Sequence, residues 1–157
     1  MTNEMESLEQ KKRRLFGKQY LPKYLEELER LLVIDVKKED ILSIIETDYF
    51  INITSCNLKG KKPAYKKTIL FSDKEKLKEI IEREVLIMDA PYLMYLSYSL
   101  DCGLMKIPNL YCFNLNFSFY DEHAGIIEFT RDDGKESILL DFYEEKDKQF
   151  LDIEIFR

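Results

Sequence analysis

A chain of 157 residues that is 45% hydrophobic and 34% charged is long enough to bury a core as one domain and too apolar to stay disordered. No apolar run approaches the ~18 residues of a membrane span, and the start lacks a basic segment followed by an apolar one, so a cytoplasmic location is expected. The net charge of −6 is uneven: from residue 121 onward twelve acids face five bases, which puts −7 there and +1 on the first 120 residues. Such a molecule disfavours nucleic acid as a partner and favours a basic protein.

Asn3 is placed to cap a first helix through Phe16, with Glu6 completing a capping box, a basic second half at 11–14 and Gly17 as the stop. A second helix is expected over 22–32, with Leu21, Tyr24, Leu25, Leu28, Leu31 and Leu32 at helical spacing. A third is expected over 37–47, with Ile41, Leu42, Ile44 and Ile45 as its stripe. The period then changes, and 49–54 reads as a short strand. Residues 57–67 read as a basic loop interrupted by Gly60 and Pro63. A strand at 68–71 leads into a helix whose start is signalled by Ser72 and Glu75, with Leu77, Ile80, Ile81 and Val85 on one face.

At 90–103 the chain is apolar on nearly every side, through Tyr92, Leu93, Met94, Leu96 and Leu100. Asp89 is a candidate cap, Pro91 suits a first helical turn and Gly103 suits a stop, so this stretch is read as a buried central helix. Pro108 breaks the chain. Beyond it, 111–120 alternates strictly between apolar and polar residues, the pattern of a strand with one dry face. Strands at 126–131, 137–143 and 150–156 follow, the first two joined at Asp133-Gly134, a turn that wants positive φ at both centres. The expected fold is one α+β domain over 1–157. Residues 1–104 are mainly helical, and 108–157 form an antiparallel meander of about four strands with helices on one face.

No Gly-rich phosphate loop occurs, and Cys56, Cys102 and Cys112 lack metal-ligand spacing, so they read as reduced thiols. His123, the single histidine, follows Asp121 and Glu122 and has the surroundings of a general base, but with no nucleophile in sight it reads as a turn residue. No catalytic residue, metal site or cofactor is assigned, although Asp141, Asp152 and Glu154 are oxygen donors of the kind a metal-dependent hydrolase uses.

Side chains alternate along strands, so the solvent face of the expected sheet holds Asn114, Asn116, Ser118 and Tyr120, then Glu128 and Thr130, Asp141 and Tyr143, and Asp152, Glu154 and Phe156. That face carries acids and aromatics without a base. Tyr120, Glu128, Asp141, Tyr143, Asp152 and Glu154 are the expected contacts for a basic protein partner. The alternative is nucleic-acid binding or regulation through Lys59, Lys61, Lys62, Tyr65, Lys66 and Lys67, where lysines meet phosphate and tyrosine stacks.

In overall character the chain resembles bacterial toxin-immunity and antitoxin proteins, small acidic domains without catalytic motifs. The segment Tyr20-Leu-Pro-Lys-Tyr-Leu-Glu-Glu-Leu is similar to the start of the SUKH immunity superfamily, whose following glycine-containing loop is absent here. The resemblance implies a cytoplasmic, non-enzymatic protein that neutralises a partner, such as a nuclease toxin, by covering it. It assigns no residues.

Overall fold

In the computed structural model, which describes residues 5–157, helix α1 (Leu8–Gly17) is started by Ser7 and Gln10. The Gln10 amide donates to Ser7 Oγ at 3.1 Å and the Ser7 amide to the Gln10 side chain at 2.9 Å, a reciprocal box. The expected Asn3 cap lies outside the described residues, and Glu6 instead pairs with Arg14 at 2.7 Å. Helix α2 (Leu21–Leu31) carries a proline in its first turn and buries Tyr24, Glu27, Leu28 and Leu31. The expected helix at 37–47 is divided: Lys38–Asp40 form a 3₁₀ turn, and residues 44–47 open the next helix instead. Helix α3 (Ile44–Leu58) begins after Ser43, whose Oγ accepts from the Glu46 amide, and runs through 49–54. The strand expected there does not form, because β-branching is a weak preference that packing overrides.

Six strands, β1 (Tyr65–Leu70), β2 (Tyr92–Tyr95), β3 (Met105–Ile107), β4 (Ile126–Arg131), β5 (Ser137–Glu145) and β6 (Lys148–Phe156), form one antiparallel sheet in the order β1-β6-β5-β4-β2-β3. The α+β class and the β4–β5–β6 meander are as expected, with more strands. Helix α4 (Lys74–Glu84) starts at Asp73 without a side-chain cap, so the Ser72–Glu75 box is not made.

The buried stretch at 90–103 is not a continuous helix. It supplies β2 and the single turn α5 (Ser99–Cys102), which Gly103 ends at φ 104°. Strand β2 lies between β3 and β4 and is covered on both faces, which is why it is apolar on every side. A short apolar run of this kind carries no period that separates strand from helix.

The alternating stretch 111–120 is not a strand either. It is a 3₁₀ turn (Leu110–Cys112) followed by an irregular loop. Asn114 satisfies backbone groups near and far in the chain: its Nδ2 donates to the Arg30 carbonyl at the end of α2 at 3.0 Å, and its Oδ1 accepts from the Asn116 amide at 3.0 Å. The phenylalanines still point inward. Phe113 packs on Phe129 at 4.8 Å between centroids, while Phe117 and Phe119 meet Phe71 and Phe142 at 5.1–5.6 Å.

The hairpin turns also change places. Only Gly134 has positive φ, at 71°, in the β4–β5 turn, where Asp133 accepts from the Lys135 amide. Lys146 and Asp147, at φ 51° and 64°, form the two-residue turn between β5 and β6.

One sheet face, with Met94, Ile127, Phe129, Ile138, Leu140, Leu151, Ile153 and Ile155, forms the core with α2, α4 and the phenylalanine loop. Helix α3 lies across the β2–β4 end of the other face, bordering a half-open cavity of about 410 Å³ lined by Phe50, Ile51, Thr54, Leu93, Tyr95 and Glu128. Helices therefore occupy both faces, not one. Among the described residues, no helix is long and apolar enough to cross a membrane.

Two features of the interior generate tests. Glu136 is fully buried and accepts from the Leu86 amide at 3.1 Å, with Arg131 and Arg157 guanidinium nitrogens at 3.4 and 3.5 Å. Glu136→Ala removes the buried carboxylate that Arg131 and Arg157 share, leaving Arg131 only its pair with Asp133, and is expected to lower unfolding stability by about 3 kcal/mol in urea titrations. Lys74 Nζ, without a hydrogen-bond partner, lies 3.3 and 4.0 Å from the ring centroids of Phe71 and Phe117. Burial pushes its pKa down to about 8, opposed by Asp121. Below pH 8 the folded state carries that buried charge; as pH rises toward the free-lysine value, the folded amine is already neutral and the protein gains stability. Lys74→Met is expected to melt a few degrees above wild type at pH 7, with the gap closing as pH rises through 8 to 10.

Candidate functional site

The half of the second sheet face not roofed by α3 belongs to β5, β6 and β1. The strand register sets its side chains in rows: Lys66, Glu154 and Leu139; Thr68, Asp152 and Asp141; Leu70, Phe150 and Tyr143. Asp141 and Asp152 stand directly opposite each other on neighbouring strands, an arrangement that repels. Thr68 and Tyr143 hydroxyls donate to Asp152 Oδ1 at 2.5 and 3.2 Å. Among the described residues, no side chain donates a hydrogen bond or ion pair to Asp141. Partial burial, then Asp152 and Glu154, push its carboxyl above the usual range. Tyr143 and Phe150 pack at 5.8 Å beside the pair, and Leu70 is 45% exposed at the sheet edge.

Of the six expected partner contacts, Asp141, Tyr143, Asp152 and Glu154 lie on this face. Glu154 is paired with Lys66 Nζ at 3.4 Å, so the face is not free of bases. Glu128 shares the face but lines the cavity under α3, where burial raises its pKa against the 3.0 Å hydrogen bond from Ser137. Tyr120 is 74% exposed on the loop that closes the opposite side of the sheet, through Phe119 on Phe142. Asn114, Asn116 and Ser118 lie on that same loop. Phe150 and Leu70 join the face through the register, a signal that strand alternation already contained for Phe150.

The basic segment is not a single loop. Lys59 ends α3, Lys61 and Lys62 lie in the connection, and Tyr65, Lys66 and Lys67 belong to β1. Alternation sends Lys66 to the acidic face and Tyr65 to the core side, where it packs against the apolar cluster.

A second cluster escaped the sequence reading. Glu27 of α2 and Glu122 are 3% and 1% exposed, and both lie against His123. Glu27 Oε2 accepts from His123 Nδ1 and from the His123 amide, each at 2.8 Å. Glu122 is held by donors from the Ser97 amide and hydroxyl and from the Ala124 and Gly125 amides. The His123 ring stacks on Tyr98 at 4.3 Å, and Tyr98 on Tyr20 at 5.2 Å. Ser97 Oγ is 3.5 and 3.2 Å from Nδ1 and Nε2. Near-equal distances to both nitrogens put the oxygen over the ring face, not along the in-plane lone pair through which a base takes a hydroxyl proton. Ser97, His123 and Glu27 therefore do not form a nucleophile relay. The available signal was Glu27 itself, a carboxylate inside the Tyr24–Leu28–Leu31 stripe.

Comparison with protein-family models, curated proteins and solved structures returns no match.

The unpaired acids make a measurable prediction. Asp141→Asn is expected to raise stability at pH 7 by about 0.5 kcal/mol, the size of a cross-strand charge effect. Because the folded carboxyl is shifted upward, that gain disappears as pH falls through the carboxylate range and Asp141 takes up its proton. Thermal melts between pH 3 and 7 read both parts.

Proposed function

We propose that this protein is a non-enzymatic binding module that captures a basic protein through the open face of β5, β6 and β1, in the manner of an immunity protein covering a toxin. The carrying observation is the Asp141–Asp152 pair, two like charges set opposite each other with no cation paired to either among the described residues. A sheet gains nothing from such a pair alone. A cationic partner supplies the missing counter-charge and steers its own approach. Tyr143, Phe150 and Leu70 add apolar area that becomes buried on contact, the usual source of retained affinity. For a toxin that acts on nucleic acid, these carboxylates would occupy the place of substrate phosphates, and occlusion would be the mechanism. Lys66 tempers the field at Glu154, so Asp141 and Asp152 carry the steering.

The test uses Asp141→Asn with Asp152→Asn and the partner recovered by affinity capture from the native host. Stopped-flow association is expected to slow about tenfold at low salt, with little change at high salt, while the melting temperature does not fall. Equal association rates for the variant and wild type would remove the proposal.

A further inference from the structure

We infer that Glu27, Glu122 and His123 form a binding site for one divalent transition-metal ion, of the class represented by Zn²⁺. Each residue offers a ligand atom, and the three atoms lie within 4.8 Å of one another. His123 Nδ1 is 2.8 Å from Glu27 Oε2 and 3.9 Å from Glu122 Oε1. These separations bracket the roughly 3.4 Å edge of a tetrahedral site with ligands at ~2.0–2.1 Å.

A second sign of a missing cation is the other oxygen of the same carboxylate, Glu27 Oε1, which is buried without a hydrogen-bond partner on a residue 3% exposed and would be satisfied by bidentate coordination. A buried carboxylate oxygen left bare is costly. The charge balance points the same way. Among the described residues, His123 is the only cationic group within ion-pair distance of either carboxylate, so even a protonated imidazole leaves one negative charge over. A divalent ion balances both.

The surroundings suit a ligand set. The four donors to Glu122 orient its carboxylate, as hydrogen bonds to ligating carboxylates do elsewhere. The Tyr98 stack fixes the imidazole plane. His123 is half exposed at its side chain, which gives an ion a way in and leaves a coordination position toward solvent and Ser97. One imidazole with two carboxylates and no thiolate selects a borderline ion over Ca²⁺.

Calorimetric titration of the chelator-treated chain with Zn²⁺ is expected to give one ion per chain with micromolar or tighter affinity, and saturating Zn²⁺ is expected to raise the melting temperature. Co²⁺ in its place should show the visible absorption of a low-symmetry site. Glu27→Gln and His123→Ala are each expected to lose uptake, or to weaken it by about 100-fold or more. The His123 substitution is at a half-exposed position and keeps the test open if the Glu27 variant does not fold. Absence of Zn²⁺ uptake by wild type at millimolar metal would overturn the inference, showing that a proton alone bridges Nδ1 and Oε2. Undiminished uptake by the two variants would overturn it as well, placing the metal at other acids or at exposed Cys56.

Discussion

The register between β5 and β6 is the constraint on which the rest of this structure depends. Pairing Ile138 with Ile155, Leu140 with Ile153 and Phe142 with Leu151 puts six apolar side chains on the core face. Because strand side chains alternate, the same register must set Leu139 against Glu154 and Asp141 against Asp152 on the other. A slip by one residue would bury the acids and expose the core, so the pairing is strongly specified. The two positive-φ residues Lys146 and Asp147 pin it at the turn. The acidic pair is thus a necessary consequence of the pairing that buries the core, and its two carboxylates remain only because the face above them is open.

The two faces divide the labour between stability and exposure. Helices α2 and α4 and the phenylalanine loop close one, while α3 closes only the β2–β4 end of the other. Where α3 ends, Asn57 bonds to the Asp133 carbonyl, and Gly134 lies so close to Ile53 and Thr54 that a Cβ would not fit. This contact fixes the helix against the β4–β5 turn and leaves β5, β6 and β1 uncovered.

Three buried carboxylates meet their desolvation cost in three ways. Glu136 has two guanidinium groups and a backbone amide. Glu122 has backbone amides and a hydroxyl. Glu27 has one oxygen satisfied by His123 and one left bare. Glu136 is balanced by cations as it stands, Glu122 has its hydrogen bonds but shares its one cationic neighbour with Glu27, and Glu27 also lacks a partner for one oxygen.

Where signals were local or strictly periodic, they were legible. The stripe of α2, the apolar face of α4, strand β4 over Ile126–Arg131 and the shared face of Asp141, Tyr143, Asp152 and Glu154 all follow from spacing alone. Period misled at 111–120, where alternating phenylalanines were anchored into an aromatic cluster and backbone pairing stopped at a single bridge between Leu32 and Phe113. At 90–103 there was no period to read, since a strand covered on both faces is as uniformly apolar as a buried helix.

By itself the sequence determined the α+β class, the two-faced β4–β5–β6 meander and its acidic side, because these rest on neighbours a few residues apart. Only the tertiary structure decided that β1 pairs with β6 and brings Lys66 to Glu154, that α3 roofs Glu128, and that Glu27 meets His123 across 96 positions. Those contacts join segments far apart in the chain, and their choice depends on how layers pack, for which no local pattern exists.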